Sequence, residues 1–291
     1  MADGGGWSTI ESDEGVFTSL IENLGVKDVQ FEELISLDAD TIRSLSPVYG
    51  VIFLFKWIRE PPSTNTTQPL DGTYVTSLPE NLFFAAQTIQ NACGTQAILS
   101  DFTTGFPPDL RGEALSNSET IRTAHNAFAR ASPFVDETVR TAQDEEADVY
   151  HFIAYTPVNG VLYELDGLQP YPISHGECDA ETFPEKVIEV LQRRIARYPE
   201  GETRFNLMAV VRDLRVRARE TGDVELLERE ARKRRAWAWE NTLRRWNFVG
   251  FIGEMIKGVV GMKEKEGPGA YDAWVEKAKQ ETQKRLLSRR G

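Results

Sequence analysis

VYHFIAYTPVNGVLYELDGL, residues 149–168, decides the fold of this 291-residue chain. Two runs of aromatic and β-branched residues flank the dipeptide Asn159-Gly160. Asn and Gly tolerate the positive φ that a two-residue type I′ turn demands at both central positions. The stretch therefore reads as a β-hairpin. A turn there sets Val158 opposite Val161, and the same register sets Ile153 opposite Asp166. His151 lies two residues before Ile153, on the same face. It is a diagonal neighbour of Asp166, about 7–8 Å away between backbones, which an imidazole and a carboxylate can span. A slip of one residue would put them on opposite faces. A carboxylate beside one ring nitrogen fixes the tautomer and supports an imidazolium. Taken alone, such a pair is more often a structural contact than a catalytic one.

Other elements fall into place around the hairpin. TSLIENLG (18–25) reads as a short helix ending at Gly25. VYGVIFLFKW (48–57) reads as a buried strand. SNSETIRTAHNAFARA (116–131) predicts a helix capped by Ser118, with Ile121, Ala124 and Phe128 on its apolar face. AETFPEKVIEVLQRRIARY (180–198) predicts an amphipathic helix, and TRFNLMAVVRD (203–213) a strand. PPSTNTTQPLDGT (61–73) reads as a loop, and FPPDLRG (106–112) as irregular, because its two prolines cannot continue a helix. SPFVDETVRTAQDEEAD (132–148) is polar with few apolar anchors. It predicts a long surface loop, a length more often functional than idle. From about Asp213 the chain turns charged and helical, with an interruption at KEKEGPGA (263–270) before a last helix. Four of the six tryptophans lie in this part: Trp237, Trp239, Trp246 and Trp274. So many aromatics in a small helical unit point to packing on the front part or to a partner.

QNACGTQAIL (90–99) holds Cys93, one of only two cysteines. Asn91 is a good N-cap type and would put Cys93 in the first turn of a helix. The partial positive charge of a helix start favours a thiolate, and its N–H groups can hold an oxyanion. On local pattern alone a Cys among Ala and Ile is more often a small buried hydrophobe. Set beside His151 and Asp166, however, it completes what a cysteine hydrolase needs: nucleophile, general base and orienting acid, in chain order Cys, His, Asp. Gln87, six residues upstream, offers a side-chain amide to an oxyanion; the plainer reading is a surface amide. His125 and His175 have no comparable acid partner in sequence and read as surface or cap residues. Cys178 reads as inert.

Composition narrows the classes. Apolar residues make up 41%, enough for a core. No run of eighteen apolar residues exists, so no membrane span is expected. The start, MADGGGWSTIESDEG, lacks the apolar region of a signal peptide. Two cysteines form no disulfide framework, which suits a reducing intracellular compartment. With three histidines they leave a metal site improbable, and no cofactor is expected. The net charge of −12 hides an asymmetry. Residues 212–291 carry 20 Lys+Arg against 13 Asp+Glu, leaving 13 against 32 in residues 1–211. An acidic front part repels nucleic acid and attracts a basic partner. RKRR (232–235) sits among Trp and Glu on a helix and reads as a solvated face rather than a nucleic-acid site.

At these residues the chain resembles the ubiquitin C-terminal hydrolases, papain-like cysteine deubiquitinases of peptidase C12 type. The resemblance lies in Gln87 with NACGTQAI, in ALSNSETIRTAHNAFAR, in the hairpin HFIAYTPVNGVLYELDGL and in RFNLMAVV. It extends to the start, WSTIESDEGVFTSLI. The end, with ENTLRRWNFVGFIGEM and the last Lys/Glu-rich helix, resembles the tail of the proteasome-associated branch. The resemblance implies an α+β papain-like fold: a central antiparallel sheet flanked by helices, plus a C-terminal helical extension. It implies a catalytic domain over 1–212 and a helical partner-docking domain over 213–291. Carried over, Cys93 is the nucleophile, His151 the base, Asp166 the orienting acid and Gln87 the oxyanion donor. The activity implied is thiol-dependent hydrolysis of ester, thioester, amide or isopeptide bonds at the C-terminal glycine of ubiquitin. The loop at 132–148 falls where the family has its active-site crossover loop. Implied partners are ubiquitin, its conjugates and, through the tail, the ubiquitin-receptor subunit of the proteasome. Related tails also engage a chromatin-remodelling complex. The implied location is cytoplasm and nucleus. One departure stands out: the family has a longer helix after the nucleophile and a further segment, whereas here AILS runs straight into DFTTGF at 100–101. The alternative expectation is therefore a catalytically impaired ubiquitin- or proteasome-binding scaffold.

Overall fold

The computed structural model describes residues 6–56, 68–79, 81–87, 95, 113–115, 117–129, 150–246 and 248–288. Seven strands among them form one antiparallel sheet: β1 (Val29–Glu33), β2 (Val48–Lys56), β3 (Thr73–Tyr74), β4 (Tyr150–Val158), β5 (Val161–Leu165), β6 (Ile173–Glu177) and β7 (Phe205–Arg212). Their order across the sheet is β1-β7-β2-β4-β5-β6-β3. The hairpin forms as the Asn-Gly turn requires. Val158 pairs with Val161 and Ala154 with Leu165, and Asn159 takes a φ of 50° and Gly160 one of 79°. Asn159 also exchanges two side-chain amide hydrogen bonds with Asn81, at 3.0 and 3.1 Å.

Both faces of the sheet are covered, which is why β2, β4 and β7 read as nearly unbroken apolar runs. Alternation splits each strand between two cores. Val51, Phe53, Phe55, Ile153, Tyr155, Leu207, Ala209 and Val211 share one face with Phe183, Val187, Val190 and Leu191. Those last four lie on the helix at Phe183–Ile195, and Ile42 of α2 (Ala39–Ser44) joins the same cluster. Ile52, Phe152, Ala154, Tyr163, Leu165 and Met208 face the other way, onto Val16, Phe17, Leu20 and Ile21 of α1 (Glu14–Asn23). Phe84 and Phe128 complete that second core.

Caps fix the helices, the one at Ser118 where the sequence places it. Ser118 Oγ accepts from Ile121 N at the start of α3 (Glu119–Asn126). Pro184 fills the first turn of α4 (Phe183–Ile195), where its missing N–H costs nothing. Asp213 caps α5 (Leu214–Thr221) and Asp223 caps α6 (Val224–Arg244).

The compact unit containing the sheet continues to Arg245, so packing does not break at 212/213. α6 lies on α1. The Trp237 ring, 6% exposed, sits on Gly15, where an added Cβ would meet ring atoms at 2.5 and 2.6 Å. Asn241 Nδ2 donates to Gly15 O at 3.2 Å and to Ser19 Oγ at 3.0 Å. RKRR is not a fully solvated face. Lys233 Nζ lies 2.8 Å from Glu32 Oε2 and 3.1 Å from Glu14 Oε1. Arg234 reaches Glu22 Oε1 at 2.9 Å and Asp213 Oδ2 at 3.3 Å. The basic partner that the acidic front attracts is thus, in part, the chain's own helix.

Gly15→Ala follows as a test of that packing. Alanine gains helix propensity of about 1 kcal/mol over glycine. The steric clash with Trp237 costs about 1–3 kcal/mol and outweighs it. Denaturant unfolding is expected to show net destabilisation; a more stable variant would mean that Trp237 does not rest there.

Residues 246–291 belong to the second compact unit. There α7 (Val249–Lys265) and α8 (Ala270–Ser288) are separated at Gly267 and Gly269, which take φ of 135° and 78°. This is the interruption expected at KEKEGPGA. Phe251, Ile252, Met255 and Ile256 are all more than half exposed on α7.

Candidate active site

The hairpin register puts His151 and Asp166 on the α4 side of the sheet. Ile153 and Leu162, in the core on that side, fix the parity. His151 Nε2 lies 2.7 Å from Asp166 Oδ1, with both side chains 4% exposed. A carboxylate can only accept, so Nε2 carries a proton and Nδ1 presents the lone pair. Leu168 N also donates to Asp166 Oδ1, at 2.9 Å. Burial pushes the Asp166 carboxyl upward. The hydrogen bond and charge of His151, the Leu168 N–H and Arg194 outweigh it and hold the group below its ordinary value. Asp166 is therefore an anion in a low-dielectric site, the form that supports an imidazolium.

Gln87 is brought to the same place by its backbone. Its N–H donates to Gly167 O at 2.8 Å, one residue beyond Asp166. The preceding Leu82, Phe83, Phe84 and Ala85 are all buried and anchor the segment. Cys93, Asn91, FPPDLRG, the loop at 132–148 and the 100/101 junction lie outside the described residues. Thr95, two residues after Cys93, is described: it is helical and 1% exposed.

Two histidines differ from expectation. His125 is fully buried, not a surface residue. Its Nε2 lies 2.6 Å from Ser8 O and its Nδ1 2.6 Å from Thr95 Oγ1. The carbonyl accepts, so Nε2 carries the proton and Nδ1 accepts from the Thr95 hydroxyl. Neither partner is near in sequence, which is why the residue looked isolated. Burial lowers the affinity of His125 for a second proton, against a smaller opposing effect of Ser8 O. Stability from neutral His125 is complete above its unfolded value of about 6.5 and is lost as pH falls through the lower folded one. Unfolding free energy is therefore expected to drop between pH 7.5 and 5.5, and less so in His125→Phe. Identical unfolding free energies from denaturant melts at the two pH values would refute this.

His175 is also buried, and it does have an acid. Ile173 pairs with Glu164, so His175, two residues on, is Glu164's diagonal neighbour. This is the relation His151 bears to Asp166, repeated on the other side of β5. His175 Nε2 lies 3.0 Å from Glu164 Oε2, and Arg194 Nη1 donates to Glu164 Oε1 at 2.6 Å. Cys178 is 3% exposed and burial pushes its thiol up, which fits an inert residue. No group of three metal-ligating side chains occurs among the described residues.

The family model described as ubiquitin carboxyl-terminal hydrolase, family 1, matches residues 7–101 and 99–196. A second, described as ubiquitin carboxyl-terminal hydrolases, matches 223–261. The chain is 47% identical to ubiquitin carboxyl-terminal hydrolase 2 of Schizosaccharomyces pombe, over 96% of this chain and 99% of that one. It is 36% identical to ubiquitin carboxyl-terminal hydrolase ubh-4 of Caenorhabditis elegans, over 97% of each. Among solved structures, Trichinella spiralis UCH37 bound to ubiquitin vinyl methyl ester superposes with a TM-score of 0.59 and 30% identity. That match covers 82% of this chain and 99% of the other.

Proposed function

This chain belongs to the ubiquitin carboxyl-terminal hydrolases, family 1, and from that premise we propose that Cys93, His151, Asp166 and Gln87 carry out its thiol-dependent deubiquitination. The observation that carries the assignment is the buried 2.7 Å contact between His151 Nε2 and Asp166 Oδ1. It leaves Nδ1 as the base for a thiol. His151 takes the Cys93 proton, and Sγ attacks the carbonyl carbon of ubiquitin's C-terminal glycine. The side-chain N–H of Gln87 donates to the oxyanion that forms. His151 then returns the proton to the departing amine, alcohol or thiol. Water, deprotonated by the same imidazole, cleaves the thioester and frees the ubiquitin carboxylate and the thiol. Asp166 stays ionised throughout and holds the imidazolium in place.

The acidic front part suits ubiquitin as a basic partner in the cytoplasm and nucleus. Within the helical residues 213–291, the part from Trp246 on, which forms the second compact unit, acts as the docking domain. Phe251, Ile252, Met255 and Ile256 supply the apolar side for the proteasome's ubiquitin-receptor subunit. A chromatin-remodelling complex, which related tails engage, is a second occupant of that face.

One observation favours a second reading, a binding protein with little turnover. The alignment with the Schizosaccharomyces pombe relative runs over 306 residues, more than this chain has, so that relative carries residues with no counterpart here. The family match also comes in two blocks that meet at 99–101, where AILS runs into DFTTGF. An electrophilic ubiquitin probe separates the readings. Labelling mapped to Cys93 supports the hydrolase; ubiquitin binding without labelling supports the scaffold.

A further inference from the structure

Behind the dyad lies a second buried charge pair that the reaction itself does not use. We propose that Glu164 and Arg194 are positioning residues that set the charge at the His151–Asp166 dyad and so the pH range over which it works. The inference rests on the roles proposed above for His151 and Asp166.

The geometry connects the pair to the dyad twice. Glu164 is two residues before Asp166 on the same face of β5, opposite Tyr155 of β4. Arg194, near the end of α4, donates from Nη1 to Glu164 Oε1 at 2.6 Å, and its guanidinium lies 4.5 Å from the centroid of the Phe55 ring. Phe55 in turn meets the His151 ring edge-on, with centroids 5.7 Å apart and planes at 90°. Arg194 therefore touches Glu164, two residues before Asp166, and Phe55 of β2, which pairs directly with His151 of β4. A fixed charge acts strongly in such a site because little water screens it.

Other titratable groups among the described residues face the pair. His175 of β6 holds Glu164's other oxygen. Asp71 lies 4.0 Å from His175 Nδ1 and pairs with Arg193 and Arg197. Tyr155 and Tyr198 face Arg194, and burial with the Glu164 charge pushes the Tyr155 hydroxyl well above its ordinary range, so it stays neutral. Arg194 and His175 overcome burial and keep Glu164 ionised, while Arg194 also helps keep Asp166 ionised. Among the described residues the dyad thus sits beside a positive and a negative charge of opposite effect.

Removing one of them leaves the other uncompensated. Glu164→Gln leaves Arg194's positive charge, which disfavours proton binding at both dyad groups. Arg194→Met takes the positive charge away and leaves Glu164 with its His175 contact, which favours it. The experiment is an NMR pH titration of the full chain labelled at its three histidines, together with the pH profile of kcat/KM for a C-terminal ubiquitin ester. In Glu164→Gln the His151 midpoint and both limbs of the profile are expected to move to lower pH. In Arg194→Met they move to higher pH, and in the double variant they return toward the parent. A pair that only packs would lower activity or stability with no such opposed shifts. Two single variants that move the His151 midpoint the same way, or not at all, would overturn the inference. If one single variant does not fold, the other together with the double still gives the sign. The NMR midpoint is read without turnover, so loss of the hydrolase reading leaves this test intact.

Discussion

Asp166→Asn is expected to lower kcat for a C-terminal ubiquitin ester by on the order of 10²–10⁴-fold, and Cys93→Ala to remove turnover. The Asn variant is informative because of Leu168. Its N–H, 2.9 Å from Asp166 Oδ1, needs an acceptor, so the amide keeps its carbonyl oxygen at that position. His151 Nε2 can still donate to it, and the tautomer and ring orientation survive. What disappears is the negative charge under an imidazolium that exists only during the reaction. The loss should therefore sit in kcat, with KM little changed. A loss confined to KM would mean that Asp166 shapes substrate binding instead. The same substitution has a stability signature. The Asp166 carboxyl is held below its ordinary 3.8 in the folded chain. Its contribution is complete above pH 3.8 and is lost as pH falls through the lower folded value. The unfolding free energy of Asp166→Asn, taken from denaturant melts, should change less with pH than the parent's in that acid range.

Trp237→Ala is expected to cost about 3–5 kcal/mol of stability, the range for truncating a large buried aromatic. Trp237 fills the space that Gly15 leaves on α1, and Lys233 Nζ and Arg234 Cζ lie 4.9 and 5.0 Å from its ring centroid. Removing the ring opens a cavity and takes the aromatic face from two cations at once. The neighbours cannot close it, because Asn241 and Lys233 are themselves tied to α1 and β1. Guanidinium titration measures the effect. A loss under about 1 kcal/mol would show that α6 adheres by its charges alone.

How much was legible in the sequence depended on whether the signal was local. The hairpin was legible because the turn dipeptide fixes register, and register fixes the His151–Asp166 diagonal. β2, α3, α4 and β7 were legible through periodicity and caps. β1 was not, because VQFEE is short and carries charge. β6 was not either: ISHGE is five residues with a glycine at φ 90°. Missing β6 meant missing His175, whose partner Glu164 lies on the strand that β6 joins. That pairing also carries a register shift between Val161 and Tyr163, which no turn motif announces. His125 was misjudged for a related reason: Ser8 and Thr95 reach it from 117 and 30 residues away. Gln87 was legible as a residue type six positions before Cys93. Its hold on Gly167 is a backbone contact and leaves no trace in side-chain pattern.

The seam between α6 and the front of the chain has a consequence for any shorter version of the protein. Arg244 alone holds Glu11 at 3.0 Å and Asp13 at 2.8 Å, while Lys233 and Arg234 hold Glu14, Glu32 and Glu22. A chain cut after 211 keeps all five carboxylates and none of those three cations, and its 32 acidic residues then face 13 basic ones. Such a fragment behaves as a compressed spring of like charge. Dissolved salt, which weakens the intact seam, should stiffen the fragment.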